Sequence, residues 1–293
     1  MMDAIVDYIR VCEEAVRAGG AVVQEWVGRF DVREKGPADL VTQADVASQE
    51  TVRRVVLGAF PDHFLLGEET GDCPNFRPSE NGTVPLSAQG DSPVLADTRT
   101  GTVPLASGTC RWIVDPLDGT TNYVHRLPHY AVSLALERDG QVLVGAVYDP
   151  CRDECFTATL GGGAHLNSRP IRVSGVARLA DALAVCGFPP HLQPDSPDLR
   201  VFQKAIFQCQ AVRRSGCSSL NLCYLAAGRY DTYWSFGTKV WDVAAGALIV
   251  REAGGIVTAP DGGPFVLDSG QFLAAPTPPL HEELRALVAS VLA

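Results

Sequence analysis

At 293 residues the chain is long enough for two ordinary domains or one large α/β enzyme, and with 46% hydrophobic and 20% charged residues it can bury a substantial core. Its 24 Lys and Arg stand against 34 Asp and Glu, a formal charge of −10 that argues against nucleic acid or an anionic membrane as main partner. A small anionic substrate stays open, because bound metal ions can reverse the local sign of a site. Nine cysteines without a CxxC pair suit reduced thiols better than a disulfide scaffold. No run approaches the roughly 18 apolar residues of a membrane span. The first ten residues, with Asp3 and Asp7, lack a secretory pattern, so a cytoplasmic location is expected.

In chain order, Ile5, Ile9, Cys12, Val16 and Val23 recur near helical spacing and predict a helix over 3–27, with Gly19 and Gly20 allowing a close neighbour. A second helix is expected over 45–57. Strand signals follow at 64–66, 112–114, 131–136 and 142–147, the last two joined by an Asp139-Gly140 hairpin turn. Helices return at about 198–210, 218–228, 242–253 and 279–292. Mixed strands and helices without a βαβ repeat favour a layered α+β sandwich over a doubly wound sheet. Residues 70–109 break the pattern with five Pro, five Gly and a repeated Gly-Thr-Val-Pro-Leu at 82–86 and 101–105. They read as a surface insertion, with a lid over the site as the alternative.

The strongest chemical signal is Trp112-Ile113-Val114-Asp115-Pro116-Leu117-Asp118-Gly119-Thr120-Thr121-Asn122. An apolar strand delivers Asp115, Pro116 turns the chain, and Asp118 follows three residues later. Two carboxylates on one tight loop repel unless a cation lies between them, which suits a hard divalent ion. If a helix begins at Gly119-Thr120, its first N–H groups form a phosphate cradle. An Asx turn with Thr as N-cap would explain one Asp and one Thr, not the second Asp. Two further acidic groups fit the same purpose: Glu68 and Glu69 just after the 64–66 strand, and Asp242, which otherwise reads as a helix N-cap. His125 and His129 flank the loop and read as packing or surface residues.

Taken together, these motifs resemble the inositol monophosphatase family of metal-dependent, lithium-sensitive phosphatases. The likeness extends to Pro37-Ala38-Asp39-Leu40-Val41-Thr42 with Asp45, Gly161-Gly162-Gly163-Ala164, Arg213-Arg214-Ser215-Gly216 and Glu252-Ala253-Gly254-Gly255. It implies a single catalytic unit over 1–293, an α-β-α-β-α sandwich with halves of roughly 1–150 and 151–293. By the resemblance, Glu68, Asp115 and the Leu117 carbonyl would hold one Mg²⁺. Asp115, Asp118 and Asp242 would hold a second, and Glu68 a weaker third. A water activated by the metal would attack phosphorus, oriented by Thr120, whose hydroxyl pairs with Asp45. Gly119 and Thr120 would bind the phosphate, while Asp118 and Gly216, Cys217 and Ser218 would meet the alcohol. The implied partner is a small phosphate ester, and the implied assembly a homodimer.

Within that superfamily, myo-inositol monophosphate is the leading substrate, with a bisphosphate nucleotidase, fructose bisphosphatase or histidinol-phosphate phosphatase as alternatives. A haloacid-dehalogenase-type phosphatase needs Asp-x-Asp, whereas this chain has Asp-x-x-Asp. A non-catalytic metal-binding interaction protein is the rival from another class. The chief departure from the family lies seven residues before Asp242, where an acidic residue gives way to Ser235. A neighbouring one is Cys217, in place of a small or hydroxylated residue.

Overall fold

The computed structural model describes residues 2–36, 39–69, 71–72, 108–189 and 192–292. Helix α1 (Met2–Trp26) turns Val11, Cys12, Ala15, Val16 and Val23 inward, the one-sided stripe of an amphipathic helix. A hairpin of β1 (Val32–Gly36) and β2 (Asp39–Thr42) leads into α2 (Gln43–Ala59). This helix starts two residues earlier than its sequence suggests. Thr42 Oγ1 accepts from Ala44 N at 3.1 Å and Asp45 Oδ2 accepts from Thr42 N at 2.8 Å, a capping box that makes Asp45 the third residue of the first turn. Gly19 lets the two helices approach, since a Cβ there would meet Ser48 Oγ and Val52 Cγ2 at 2.9 Å.

The larger sheet contains β3 (Phe64–Gly67), β4 (Gly71–Asp72), β5 (Cys110–Asp118), then, after the short helix α3 (Thr120–Val124), β6 (Ala131–Arg138), β7 (Gln141–Asp149), β8 (Glu154–Thr159), β9 (Gly163–Leu166) and β10 (Arg169–Pro170). Their spatial order is β10-β9-β8-β7-β6-β5-β3-β4. The β6–β7 turn is the expected Asp-Gly hairpin, with Asp139 at φ 54° and Gly140 at φ 77°. Most of the expected insertion at 70–109, including its internal repeat, lies outside the described residues. Its start pairs as β4 with β3, and Gly108 N donates to Asp139 Oδ1 at 2.8 Å.

The second sheet is built from β11 (Leu183–Cys186), β12 (Ala211–Arg213), β13 (Thr232–Ser235), β14 (Ile256–Thr258) and β15 (Phe272–Ala275), in the order β12-β11-β13-β15-β14. Four helices accompany it: α4 (Pro197–Ala205), α5 (Ser218–Ala226), α6 (Val240–Glu252) and α7 (Pro278–Leu292). α4 ends five residues before the expected boundary because the chain must become extended to pair Ala211–Arg213 with β11.

The layers run α-β-α-β-α. α1 and α2 cover one face of the larger sheet, α5 and α6 are enclosed between the sheets, and α4 and α7 cover the far face of the smaller one. Enclosure on both faces explains why α6 is buried continuously from Val243 to Val250 rather than on one stripe. Gly145 and Gly246 permit this: Cβ atoms there would meet Ala245 Cα at 2.9 Å and Leu222 Cβ at 2.6 Å. The glycine turn at 161–163 is held by Glu252 at the end of α6, whose carboxylate accepts from Gly161 N at 2.8 Å and Gly163 N at 2.9 Å.

Candidate active site

Parallel pairing of β3 with β5 sets Gly67 beside Val114, so that Glu68 and Asp115 leave the two strands side by side. Glu68 N donates to Val114 O at 3.3 Å. The expected turn after Asp115 is instead a bulge within the strand. Asp115 pairs with Ser133 and Asp118 with Ala131, three steps on β5 against two on β6. A bulge tolerates Pro116, which has no N–H for a ladder. The bulge buries Leu117 completely in the α1–α2 core and leaves Asp115 and Asp118 at 2% and 8% exposure. Ser48 Oγ donates to Pro116 O at 2.8 Å and Leu117 N donates to Asp115 Oδ1 at 3.1 Å, fixing the loop from both sides.

Gly119 follows at φ 93° and begins α3. No side chain fits here: a Cβ would lie 3.0 Å from His129 O and 3.3 Å from Gly216 O. The Thr120 hydroxyl lies 3.3 Å from Asp45 Oδ1 and 3.0 Å from Leu117 O, donating between them. Asp45 Oδ2 is held by Thr42 N and Oγ1, so its Oδ1 is the oxygen turned to Thr120. Burial raises the Asp45 carboxyl above its ordinary value.

The C-terminal half supplies the opposite wall. Asp242 is the third residue of α6, not its first, and its Oδ2 accepts from Lys239 N at 2.7 Å. Asp118 Oδ2 accepts from Ser219 N and Ser219 Oγ, both at 2.6 Å, and from Cys217 Sγ at 3.1 Å. Cys217 is thus a buried donor to the carboxylate. Gly216, at φ 83°, is secured through its neighbour: Asn122 Nδ2 donates to Ser215 O at 2.9 Å and to His129 O at 2.8 Å. Ser218 begins α5. Ser235, at the end of β13, is 1% exposed and lies against the loop after β11, its Oγ 3.0 Å from where a Gly187 Cβ would stand.

Besides Ser48 and Ser219, two further residues here are not flagged by the sequence. Lys35 on β1 places Nζ 3.0 Å from Glu68 Oε1 and 2.5 Å from Glu69 Oε1. Burial pulls its pKa down, but the two carboxylates outweigh it and the net shift is upward. Gln49 on α2 accepts from Glu69 N at 3.1 Å. Their signal exists only in the fold, since nothing at 35 or 49 is spaced relative to 68. His125 is exposed, while His129 packs its ring edge-on to Tyr224 at 5.8 Å with Nε2 buried and unpartnered.

Electrostatics identify these acids as one group. Burial pushes Asp115 well above the usual carboxylate range, reinforced by Glu68, Asp118 and Asp242 in that order. Asp242 is raised well above its ordinary value by burial and then by Asp118, and Glu68 is raised by burial despite Lys35. Burial and Glu68 lift Glu69 to about 7. Among the described residues no three His, Cys, Asp or Glu side chains are drawn together as a formed ligand group. The hydrogen bonds explain why. Glu68 is turned to Lys35, Asp118 to Ser219 and Cys217, and Asp242 to Lys239 N. The donors are all oxygens, two are buried and two half-buried, they repel one another, and one already binds a cationic ammonium. That chemistry fits a hard divalent cation and not zinc.

Comparison with known proteins gives one consistent outcome. The sequence model of the inositol monophosphatase family matches residues 6–293. "Nus factor SuhB" of Pseudomonas aeruginosa is 38% identical over 275 residues, covering 92% of this chain and 91% of that protein. "Inositol-1-monophosphatase" of Mesorhizobium japonicum is 37% identical over 266 residues, covering 89% and 88%. Among solved structures, the inositol monophosphatase of Anabaena superposes with a TM-score of 0.78 at 33% identity, covering 98% of this chain and 97% of that one.

Proposed function

The chain belongs to the inositol monophosphatase family, and from that premise we propose that it is a Mg²⁺-dependent hydrolase of small phosphate monoesters, with myo-inositol monophosphate as leading substrate. The observation that carries the reading is the convergence of Glu68, Asp115 and Asp242, whose carboxyl pKa values are all raised by burial and by neighbouring acids, with the buried Asp118 beside them. Glu68, Asp115, the Leu117 carbonyl, Asp118 and Asp242 would hold two to three Mg²⁺. These ions supply neutralisation of the phosphoryl charge and activation of the attacking water.

The chain's own groups do the positioning. Asp45 holds the Thr120 hydroxyl so that Thr120 orients the nucleophilic water, a role supported by the Asp45–Thr120 contact of 3.3 Å. Gly119 and Thr120 offer their N–H groups to phosphate, and the missing side chain at Gly119 lets the start of α3 pack against the His129 and Gly216 carbonyls. Asp118, with Cys217 and Ser219 holding one oxygen, Gly216 and Ser218 bound the alcohol part. Ser235 faces the same part with a neutral hydroxyl.

Relatives named as Nus factors keep an interaction role open as a second reading. The carboxylate set and a net charge of −10 favour the phosphatase over a nucleic-acid partner. The proposal includes a homodimer, measurable by sedimentation, and a cytoplasmic setting. The deciding experiment is phosphate release from inositol 1-phosphate, glycerol phosphates and fructose 1,6-bisphosphate with and without Mg²⁺. Turnover that needs Mg²⁺ is expected, and its absence for every ester would overturn the reading.

A further inference from the structure

Three parallel strands of the smaller sheet end at one edge. β11 pairs with β12 through Val185↔Arg213 and with β13 through Cys186↔Trp234, so Arg214 stands level with Cys186, one residue before the level of Gly187 and Ser235. The carboxyl edge of parallel strands is where α/β folds place ligands. From this edge the chain runs through Gly216, whose carbonyl packs against Gly119.

The exposed Arg214 side chain folds back toward the Gly216 turn. Its Nη1 stands 3.5 Å from where a Gly216 Cβ would be. Among the described residues no carboxylate lies within ion-pair distance of Arg214. Asp198 is 2% exposed and accepts from Phe236 N at 3.0 Å. Ser235 adds no charge at the neighbouring strand end. An acidic chain therefore keeps a cation without a carboxylate partner two residues before Gly216, whose carbonyl packs against the glycine that opens the candidate phosphate cradle.

Resting on the phosphatase reading, we propose that Arg214 is a specificity residue of this site, receiving a carboxylate carried by the alcohol part of the phosphate ester. A planar guanidinium offers two parallel N–H groups that match a carboxylate. A second phosphate, with about twice the charge, would be only half neutralised by one arginine. Among open-chain esters, those of small hydroxy acids are thus favoured over their neutral counterparts.

The test compares 3-phosphoglycerate with glycerol 3-phosphate, which differ only in a carboxylate for a hydroxymethyl group. In the wild type, kcat/KM for 3-phosphoglycerate exceeds that for glycerol 3-phosphate. Arg214→Gln lowers that ratio about tenfold or more, through KM rather than kcat. Arg213→Gln, whose parent side chain turns back to Val212 O at 3.1 Å, leaves the ratio within about twofold. Ser235→Glu lowers it by setting a like charge beside the carboxylate. An Arg214→Gln ratio equal to that of the wild type overturns the proposal. Calorimetric titration of 3-phosphoglycerate into the wild type and Arg214→Gln reads the same contact without turnover, and equal affinities also overturn it. If neither ester is hydrolysed, the phosphatase reading fails while calorimetry still decides the role of Arg214.

Discussion

The two walls of the site are built by different means. The wall from the larger sheet comes from neighbouring strands, with Glu68 and Asp115 placed by the β3–β5 register and Asp118 by one extra residue in β5. The wall from the smaller sheet comes from strand ends and helix starts, where Arg214, Ser218, Ser235 and Asp242 each hang on a separate connection. Sheet register is rigid, because a one-residue slip would send every side chain to the other face. Helix starts and strand ends are more tolerant, although Ser235 itself is buried and pairs with Phe272. Three of the four acids, Glu68, Asp115 and Asp118, thus hang on strand register, while Asp242 and the residues proposed to face the alcohol hang on strand ends and helix starts.

Four changes test that contrast. Asp115→Asn removes the acid at the centre of the rigid wall and should lower kcat about a thousandfold or more, leaving a buried group without its charge-balancing role. Near-normal turnover at saturating Mg²⁺ would show that the register-placed wall does not carry the chemistry. Thr120→Ala should cost about a hundredfold in kcat with the Mg²⁺ activation midpoint nearly unmoved, as expected of a group that orients water. A shifted midpoint with unchanged kcat would assign Thr120 to the metal instead. On the tolerant wall, Ser235→Glu should raise kcat/KM for inositol 1-phosphate over glycerol 3-phosphate about tenfold, by adding a charged hydrogen-bond acceptor. An enzyme already strongly selective for inositol phosphate and unimproved by the change would erase the contrast.

The smallest effect concerns the support behind the rigid wall. Trp112 Nε1 donates to His63 Nδ1 at 3.0 Å, and His63 stacks on Phe60 at 4.9 Å. Burial lowers the His63 pKa, so its neutral form is the folded one. The resulting stability is complete above about pH 6.5 and is lost as pH falls through the folded pKa, because the unfolded chain then binds the extra proton. Melting curves from pH 7.5 to 5 should show this loss, and His63→Gln should flatten it. An equal slope in the variant would exclude His63 as its source.

Legibility in the sequence follows the same division. Asp115, Asp118, Gly119 and Thr120 are visible because they share one short segment, and the long helices because their apolar periods are local. The bulge at Pro116 is not visible, since it exists only relative to β6. Helix starts at Gln43 and Val240 are displaced from expectation because Asp45 and Asp242 cap from the third position, bonding back to Thr42 and Lys239. Lys35 is invisible for a further reason: its role depends on a hairpin folding against the end of β3, 33 residues away.

By itself the sequence determined the layered α+β class, the acidic character of the candidate site and the loop that opens α3. These depend on residue types and short-range spacing, which do not change when the chain folds. Only the tertiary structure decided which acids share a field, that Lys35 neutralises two of them and that Arg214 is left unpaired beside Gly216. Those properties depend on burial and on distances between strands far apart in sequence, and both arise only when the two sheets close around α5 and α6.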